Sequence, residues 1–290
     1  MTGDPFTARS RQPIGSRQRL EKFTTAALLM AVGLLVMLPI FWGLDVSLKQ
    51  EGEYSANPIK WLPDVPQWIN FVHVFTYQPF MRYARNSLFL AASFSFLTVI
   101  TSAMSGFAFS RINVPGKQKL FQVVIALLII PSLVYVIPQF MLFSRLKLTN
   151  TYWPWILWGL AASPFYIFLF RQFFSTIPGE LEDAAEVDGA NPLRIFVQIF
   201  LPNAKPALAT AFILNFIWVW GDYFTPILYL SDRNTTLAVK LQSAYTDPQG
   251  NTLVTVVLAA SVIYTLPLIV MFFLAQRHIL QGVSTSGLKG

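Results

Sequence analysis

Residues 177–202 read Ile177-Pro178-Gly179-Glu180-Leu181-Glu182-Asp183-Ala184-Ala185-Glu186-Val187-Asp188-Gly189-Ala190-Asn191-Pro192-Leu193-Arg194-Ile195-Phe196-Val197-Gln198-Ile199-Phe200-Leu201-Pro202, and they divide into two short helices with a break between them. Pro178 can open the first helix, because the first turn has no use for its missing N–H. Glu180, Glu182 and Asp183 fall in the first turns, where the helix macrodipole favours anions. Gly189 ends that helix, since glycine takes a positive φ without penalty. Asn191 caps the second helix and Pro192 fills its first position. Leu193, Phe196, Val197 and Phe200 then recur at helical spacing until Pro202 and Pro206 stop it. An amphipathic helix pair lying on a membrane is the plain reading of such a segment. Two features favour a docking element instead. The first helix is acidic, which suits an anionic leaflet badly. Leu181, Ala184, Ala185 and Asp188 are expected on one face, where the Ala-Ala step lets another protein's backbone approach closely.

On both sides of this segment the chain is apolar. Six stretches, 24–44, 87–109, 120–143, 153–170, 207–221 and 253–275, contain no Asp, Glu, Lys or Arg. A membrane span needs roughly 17 to 25 mostly apolar residues, and a charge at mid-bilayer costs about 2.5 to 3.5 kcal/mol on insertion scales. Composition agrees: hydrophobic residues make up 54% of the 290, charged residues 12%, and the mean hydropathy is +0.51. That charge fraction is about half that of a soluble domain. The chain therefore reads as an all-α polytopic membrane protein. It divides into a basic N-terminal tail (1–23), a first span (24–44), a long outer segment (45–86), a core of five further spans (87–275) and a C-terminal tail (276–290).

The net charge of +7 is explained by where the basic residues sit. With both termini in the cytoplasm, the inner segments hold 13 Lys and Arg and the outer segments, of nearly equal length, hold 8. The positive-inside rule favours that orientation. Arg9, Arg11, Arg17, Arg19 and Lys22 cluster just before the first span, where they attract anionic headgroups. No array of basic residues interleaved with aromatics points to nucleic acid. The first span lacks a small-x-small cleavage site and reads as a retained anchor. The outer segment 45–86 carries Pro58, Pro63, Pro66 and Pro79, which exclude long regular helices, and Trp61 and Trp68, which suit an interface. With no Cys and two His, at 73 and 278, there is no disulfide framework, no cysteine zinc site and no His cluster.

The pattern Asp183-Ala184-Ala185-x3-Gly189-x9-Ile199-x-Leu201-Pro202 resembles the EAA loop of ABC importer permeases. The likeness extends over about residues 35–290. Pro39, Ser47-Leu48-Lys49, Trp61-x-Pro63, Asn70-Phe71, Arg82-Tyr83 and Asn86-Ser87-Leu88 resemble the second permease of carbohydrate importers, the maltose-transporter type. So do Pro226-Ile227-Leu228, Thr236-Leu237-x-Val239-x-Leu241 and the tail Gln281-Gly282…Gly287-Leu288-Lys289-Gly290. Two departures stand out. Asp183 occupies a position that is usually Glu, with Glu182 just before it, and Gly221-Asp222 replaces the Asn-Glu or Asn-Asp of many sugar permeases.

The resemblance implies a type I ABC importer permease fold with six transmembrane helices in the cell (inner) membrane. It implies a second homologous permease, a pair of ATP-binding subunits and an extracytoplasmic sugar-binding protein as partners. Glu182, Asp183, Ala184, Ala185, Asp188, Gly189, Ile199, Leu201 and Pro202 would form the coupling loop seated in an ATPase subunit. Gln281, Gly282 and Lys289 would reach along the ATPases. The segment 222–252 would meet the binding protein.

The residues themselves bear on mechanism. The chain has no Gly-x4-Gly-Lys-Ser/Thr loop, so ATP and Mg are expected on the partner and no cofactor on this chain. No Ser/His/Asp or paired-carboxylate constellation lies in the spans, which disfavours a membrane enzyme. No mid-membrane carboxylate exists for a coupling ion, which disfavours a secondary carrier. Within ABC permeases, polyamine, amino acid, peptide and phosphate remain the alternatives to sugar. Asn215, alone among strongly polar residues in the fifth span, either contacts solute or bonds a neighbouring helix. Trp218, Trp220, Asp222 and Tyr223 are pathway candidates, although an aromatic belt explains the rings equally. Pro131, Pro138 and Pro164 are expected to kink their helices. Ser102-x3-Gly106 allows close helix packing. So few polar interior residues cannot wall a sugar-sized path, which independently calls for a second permease.

Overall fold

The apolar stretches are helical in the computed structural model, which describes residues 16–243, 245–247 and 249–286. In chain order the helices are α1 (Ser16–Ser47), α2 (Ile69–Thr76), α3 (Phe80–Arg111), α4 (Lys117–Ile129), α5 (Leu133–Arg145), α6 (Trp153–Leu160), α7 (Pro164–Ser175), α8 (Glu180–Val187), α9 (Pro192–Ile195), α10 (Leu201–Asn203), α11 (Lys205–Gly221), α12 (Phe224–Tyr229), α13 (Leu237–Ser243) and α14 (Val254–Ser286). A π-helical turn, Phe196–Phe200, joins α9 to α10.

Four helical stretches are each long and apolar enough to cross a bilayer: Glu21–Ser47, Phe80–Arg111, Trp153–Ser175 and Val254–Leu274. Two bent pairs bring the number to as many as six: Lys117–Ile129 with Leu133–Arg145, bent by 100°, and Pro192–Asn203 with Lys205–Gly221, bent by 80°. The first of these corrects the sequence expectation of a single kinked helix over 120–143. Pro131 forces the residue before it out of the helical region, and Ile130 accordingly adopts an extended backbone (φ −75°, ψ 118°). Pro138, by contrast, lies inside α5, which continues past it. Pro164 heads α7, and the preceding break carries Ala162 at φ 62°.

Helix α3 is the centre of the bundle and packs against α6, α7, α11 and α13. Its sequence contains no proline and a single glycine, Gly106, which marks its closest approach to a neighbour. A Cβ at Gly106 would lie 2.6 Å from Phe170 Cβ and 2.9 Å from the Arg171 amide nitrogen of α7. Ser102, one turn earlier, accepts a 2.9 Å hydrogen bond from the Ser163 amide on its hydroxyl. Arg171 in turn lies 3.8 Å from the centroid of the Phe121 ring, tying α7 to α4. Helix α14 packs against α1, α2 and α11. Every residue of α1 from Glu21 to Trp42 is exposed, as suits a helix at the rim of the bundle.

Helix ends depart from the expected spans in one direction. Helix α3 begins at Phe80 and α14 runs to Ser286, so apolar cores are extended by polar turns beyond the bilayer thickness. The segment 276–290, expected as a separate tail, thus begins as a continuation of α14. Gln281 and Gly282 lie in that helix, whereas Lys289 lies outside the described residues, as do Arg9 and Arg11.

The end of the bundle at the start of α3 is closed by two polar clasps. In the first, buried Lys49 bonds Asp45 at 2.5 Å and the Lys60 carbonyl at 2.7 Å. Asn70 donates to the carbonyls of Ser47 and Lys49, both at 2.9 Å, and Glu51 accepts from Thr255 Oγ1 at 2.7 Å at the start of α14. In the second, the Ser87 hydroxyl accepts from the Leu237 amide at 2.8 Å. Asn86 donates to the Thr235 carbonyl at 3.1 Å, and Tyr152 to the Asn234 carbonyl at 2.9 Å. Asp232 pairs with Lys240 and accepts from Tyr83. The family-like motifs Ser47-Leu48-Lys49 with Asn70-Phe71, and Asn86-Ser87 with Thr236-Leu237, are therefore physical partners.

Candidate functional site

Helices α8 to α10 lie at the opposite end, beyond the last residues of α3 and α7. Gly189 has φ 77°, a conformation that favours glycine, and breaks the chain between α8 and α9. The Asn191 side chain accepts a 2.8 Å bond from the Arg194 amide and caps α9. One face of the segment packs inward on an aromatic cluster of Phe107, Phe170, Phe174, Phe196 and Phe200. Phe107 and Phe200 meet edge to face with centroids 4.8 Å apart, and Phe170 stacks on Phe174. Ile199, Leu201 and Ala185 pack against that cluster.

The other face is open. Leu181 is 45% exposed, Val187 89%, Leu193 62% and Val197 49%. Asp183, Ala184, Asp188 and Pro202 are exposed beside them. This corrects the expected face of α8: Ala185 points inward with Glu182, one helical turn away, and does not share the outward surface of Leu181 and Ala184. The reason is Arg111, in the last turn of α3. One guanidinium nitrogen lies 3.5 Å from Glu182 Oε2, and the other donates to the Phe174 carbonyl at 2.7 Å and to the Ile177 carbonyl. The guanidinium also sits 5.0 Å from the centroid of the Phe200 ring. Turning Glu182 toward Arg111 carries Ala185 with it.

Burial pushes the Glu182 carboxyl above its ordinary range, Arg111 pulls it back, and Glu186 and Asp183 push it further up. In the sequence Arg111 stands out only as a positive charge at the end of an apolar stretch. The signal was a long basic residue in the last turn of an apolar helix, beside a neighbouring helix whose terminal carbonyls need donors.

The pathway candidates do not converge. Asn215 is buried and donates to Ser95 Oγ on α3 at 3.1 Å, so it acts between helices. Trp220 is 2% exposed, stacks on Tyr264 and donates to the Tyr264 carbonyl at 3.2 Å. Trp218, on the other face of α11, is 76% exposed. Asp222 accepts from the Thr225 amide at 3.0 Å and caps α12, and Tyr223 is half-buried next to it. Among the described residues, no group of three or more His, Cys, Asp or Glu could hold a metal ion.

With that geometry in view, residues 99–285 match the family described as binding-protein-dependent transport system inner membrane component. The chain is 30% identical to the diacetylchitobiose uptake system permease protein NgcG of Streptomyces coelicolor, over 89% of this chain and 86% of the relative. It is 30% identical to the arabinooligosaccharides transport system permease protein AraQ of Halalkalibacterium halodurans, over 89% and 93%. It is also 30% identical to the sn-glycerol-3-phosphate transport system permease protein UgpE of Pectobacterium atrosepticum, over 94% and 99%. In structure it resembles a chain of a bacterial ABC transporter involved in the import of the acidic polysaccharide alginate, with a TM-score of 0.78 and 24% identity over 94% of this chain and 99% of that one. A helical bundle with a bent helix pair packed beneath it, matched along nearly its whole length, places this chain in the family of binding-protein-dependent transport system inner membrane components.

Proposed function

We propose that this permease imports a sugar or oligosaccharide, with ATP and Mg bound by a pair of partner ATPase subunits and none on this chain. A second homologous permease completes the solute path, and an extracytoplasmic sugar-binding protein delivers the solute. Both termini and α8–α10 face the cytoplasm, and the clasped end at the start of α3 faces outward. The observation that carries the reading is the two-faced α8–α10 segment. Its inner face is bonded to the bundle through Arg111 and the aromatic cluster, while its outer face leaves Leu181, Ala184, Val187 and Leu193 uncovered. A surface held rigidly from behind and open in front transmits movement between two access states. The names of the relatives, which include diacetylchitobiose and arabinooligosaccharides, support carbohydrate as the solute class.

Ala184→Arg, on the open face, should abolish co-purification with the ATPase while leaving the folded permease in the membrane. Intact complex recovered from that variant would overturn the docking role. Uptake by reconstituted vesicles should need ATP and ignore ionophores, and a sugar panel should raise the melting temperature of the binding protein.

A further inference from the structure

We infer that Arg111 is a positioning residue that locks α8 to α3 and α7, so that the docking surface cannot move without the bundle. This rests on the transport reading above. Arg111 links four separate pieces of the chain. It belongs to α3, donates to the Phe174 carbonyl in the last turn of α7 and to the Ile177 carbonyl beyond it, pairs with Glu182 of α8, and lies on the Phe200 ring in the turn leading to α10. Its Nε has no acceptor among the described residues.

Stability alone is a poor reason for such an arrangement. A buried ion pair is often replaceable by packed apolar groups at no loss, and an unmatched buried donor carries a cost. What the arrangement supplies is direction. The guanidinium is planar, with donors in a fixed fork, so two carbonyls and a carboxylate are held in one geometry relative to the axis of α3. The aromatic cluster supplies packing but no such fork of donors aimed at the chain segments it joins. Without Arg111 the segment would stay buried against the bundle but lose its fixed angle.

The absence of cysteine from this chain lets site-directed spin labels be introduced into it directly, with any reactive cysteines of the partner subunits replaced. Labels at Met104, on the exposed side of α3, and Glu186, exposed in the last turn of α8 and outside the open face, report the separation of the two helices. The complex is purified with its ATPase subunits and measured with and without MgATP and vanadate. Expected for the parent is a narrow distance distribution whose mean shifts by less than about 2 Å, roughly a third of the one-turn ratchet by which packed elements switch, while vanadate traps nucleotide. Trapping accompanied by a larger shift overturns the role of Arg111 alone, and absence of trapping overturns the transport reading and this inference together. Arg111→Gln should widen the distribution in both states, and Arg111→Lys should restore most of its sharpness. Where Arg111→Gln fails to assemble, Glu182→Gln, which keeps the shape and removes only the charge, should widen it as well. An unchanged width in an assembled variant overturns the inference.

Discussion

Gly106 sets the distance between the two most closely packed helices. A methyl there would meet Phe170 Cβ at 2.6 Å and the Arg171 amide at 2.9 Å, one of them backbone and unable to swing aside. Gly106→Ala must spread α3 from α7, and overpacking of this kind costs about 1–3 kcal/mol. Unfolding in detergent should register that loss; a variant as stable as the parent would remove the close approach from the argument. Gly189 is the opposite case. Nothing lies within 4 Å of its missing side chain, so its constraint is φ 77° and not space. Gly189→Val should cost about 1–2 kcal/mol for holding a left-handed residue, while Gly189→Asn, which tolerates that region, should cost much less. Equal losses for the two would show that crowding and not conformation is at work. Asn215 teaches a different lesson. Interhelical bonds of its kind average about 0.6 kcal/mol in membranes, so the Asn215–Ser95 bond aligns α11 on α3 more than it stabilises the bundle.

At the scale of elements, α8 to α10 were the most legible part of the sequence and also where one side chain was misplaced. The breaks followed from local chemistry, Gly189 and Asn191-Pro192, and needed no tertiary information. The inward turn of Ala185 did not, because it is imposed by Arg111, whose carbonyl partner Ile177 lies 66 residues further along the chain. The same limit applies to the third span. Pro131 announced a disturbance, but only packing decides between a kink and a 100° turn. The segment 230–241 can be tested as a unit. The hydrogen bond from Lys240 holds the Asp232 carboxyl below its ordinary value of 3.8, with burial opposing it. A depressed carboxyl contributes stability that is complete above 3.8 and is lost as pH falls through the lowered value. Local opening of residues 231–241, read as hydrogen-exchange protection corrected for the intrinsic pH dependence of the exchange rate, should therefore be flat across neutral and mildly acidic pH and rise only in stronger acid. Because Asp232 is mostly exposed, the rise should be small and salt-sensitive. A rise near neutrality would contradict the assignment.

At the scale of the whole molecule, composition alone settled that the chain lives in a bilayer, and six uncharged stretches settled how many crossings to look for. Which residues face a solute was not legible. Asn215 and Trp220 turned out to be occupied within the bundle, and Trp218 faces away from it. Helices α4, α5 and α11 leave large apolar side chains exposed, among them Val123, Ile137 and Trp218.

The clasp between the start of α3 and the segment 230–241 joins residues separated by about 150 positions, as in the Ser87–Leu237 bond. Synthesis is vectorial, so α3 enters the bilayer long before its partners in 230–241 leave the ribosome. Until then Tyr83, Asn86 and Ser87 have only water and lipid headgroups to satisfy them, and long-range closure of this kind is slow. A nascent chain released after Gly221 would carry every contact along α7 and none of this seal. It is expected to insert normally yet be cleared by membrane proteases, whereas release after Ser243 should prolong its lifetime in a pulse-chase experiment.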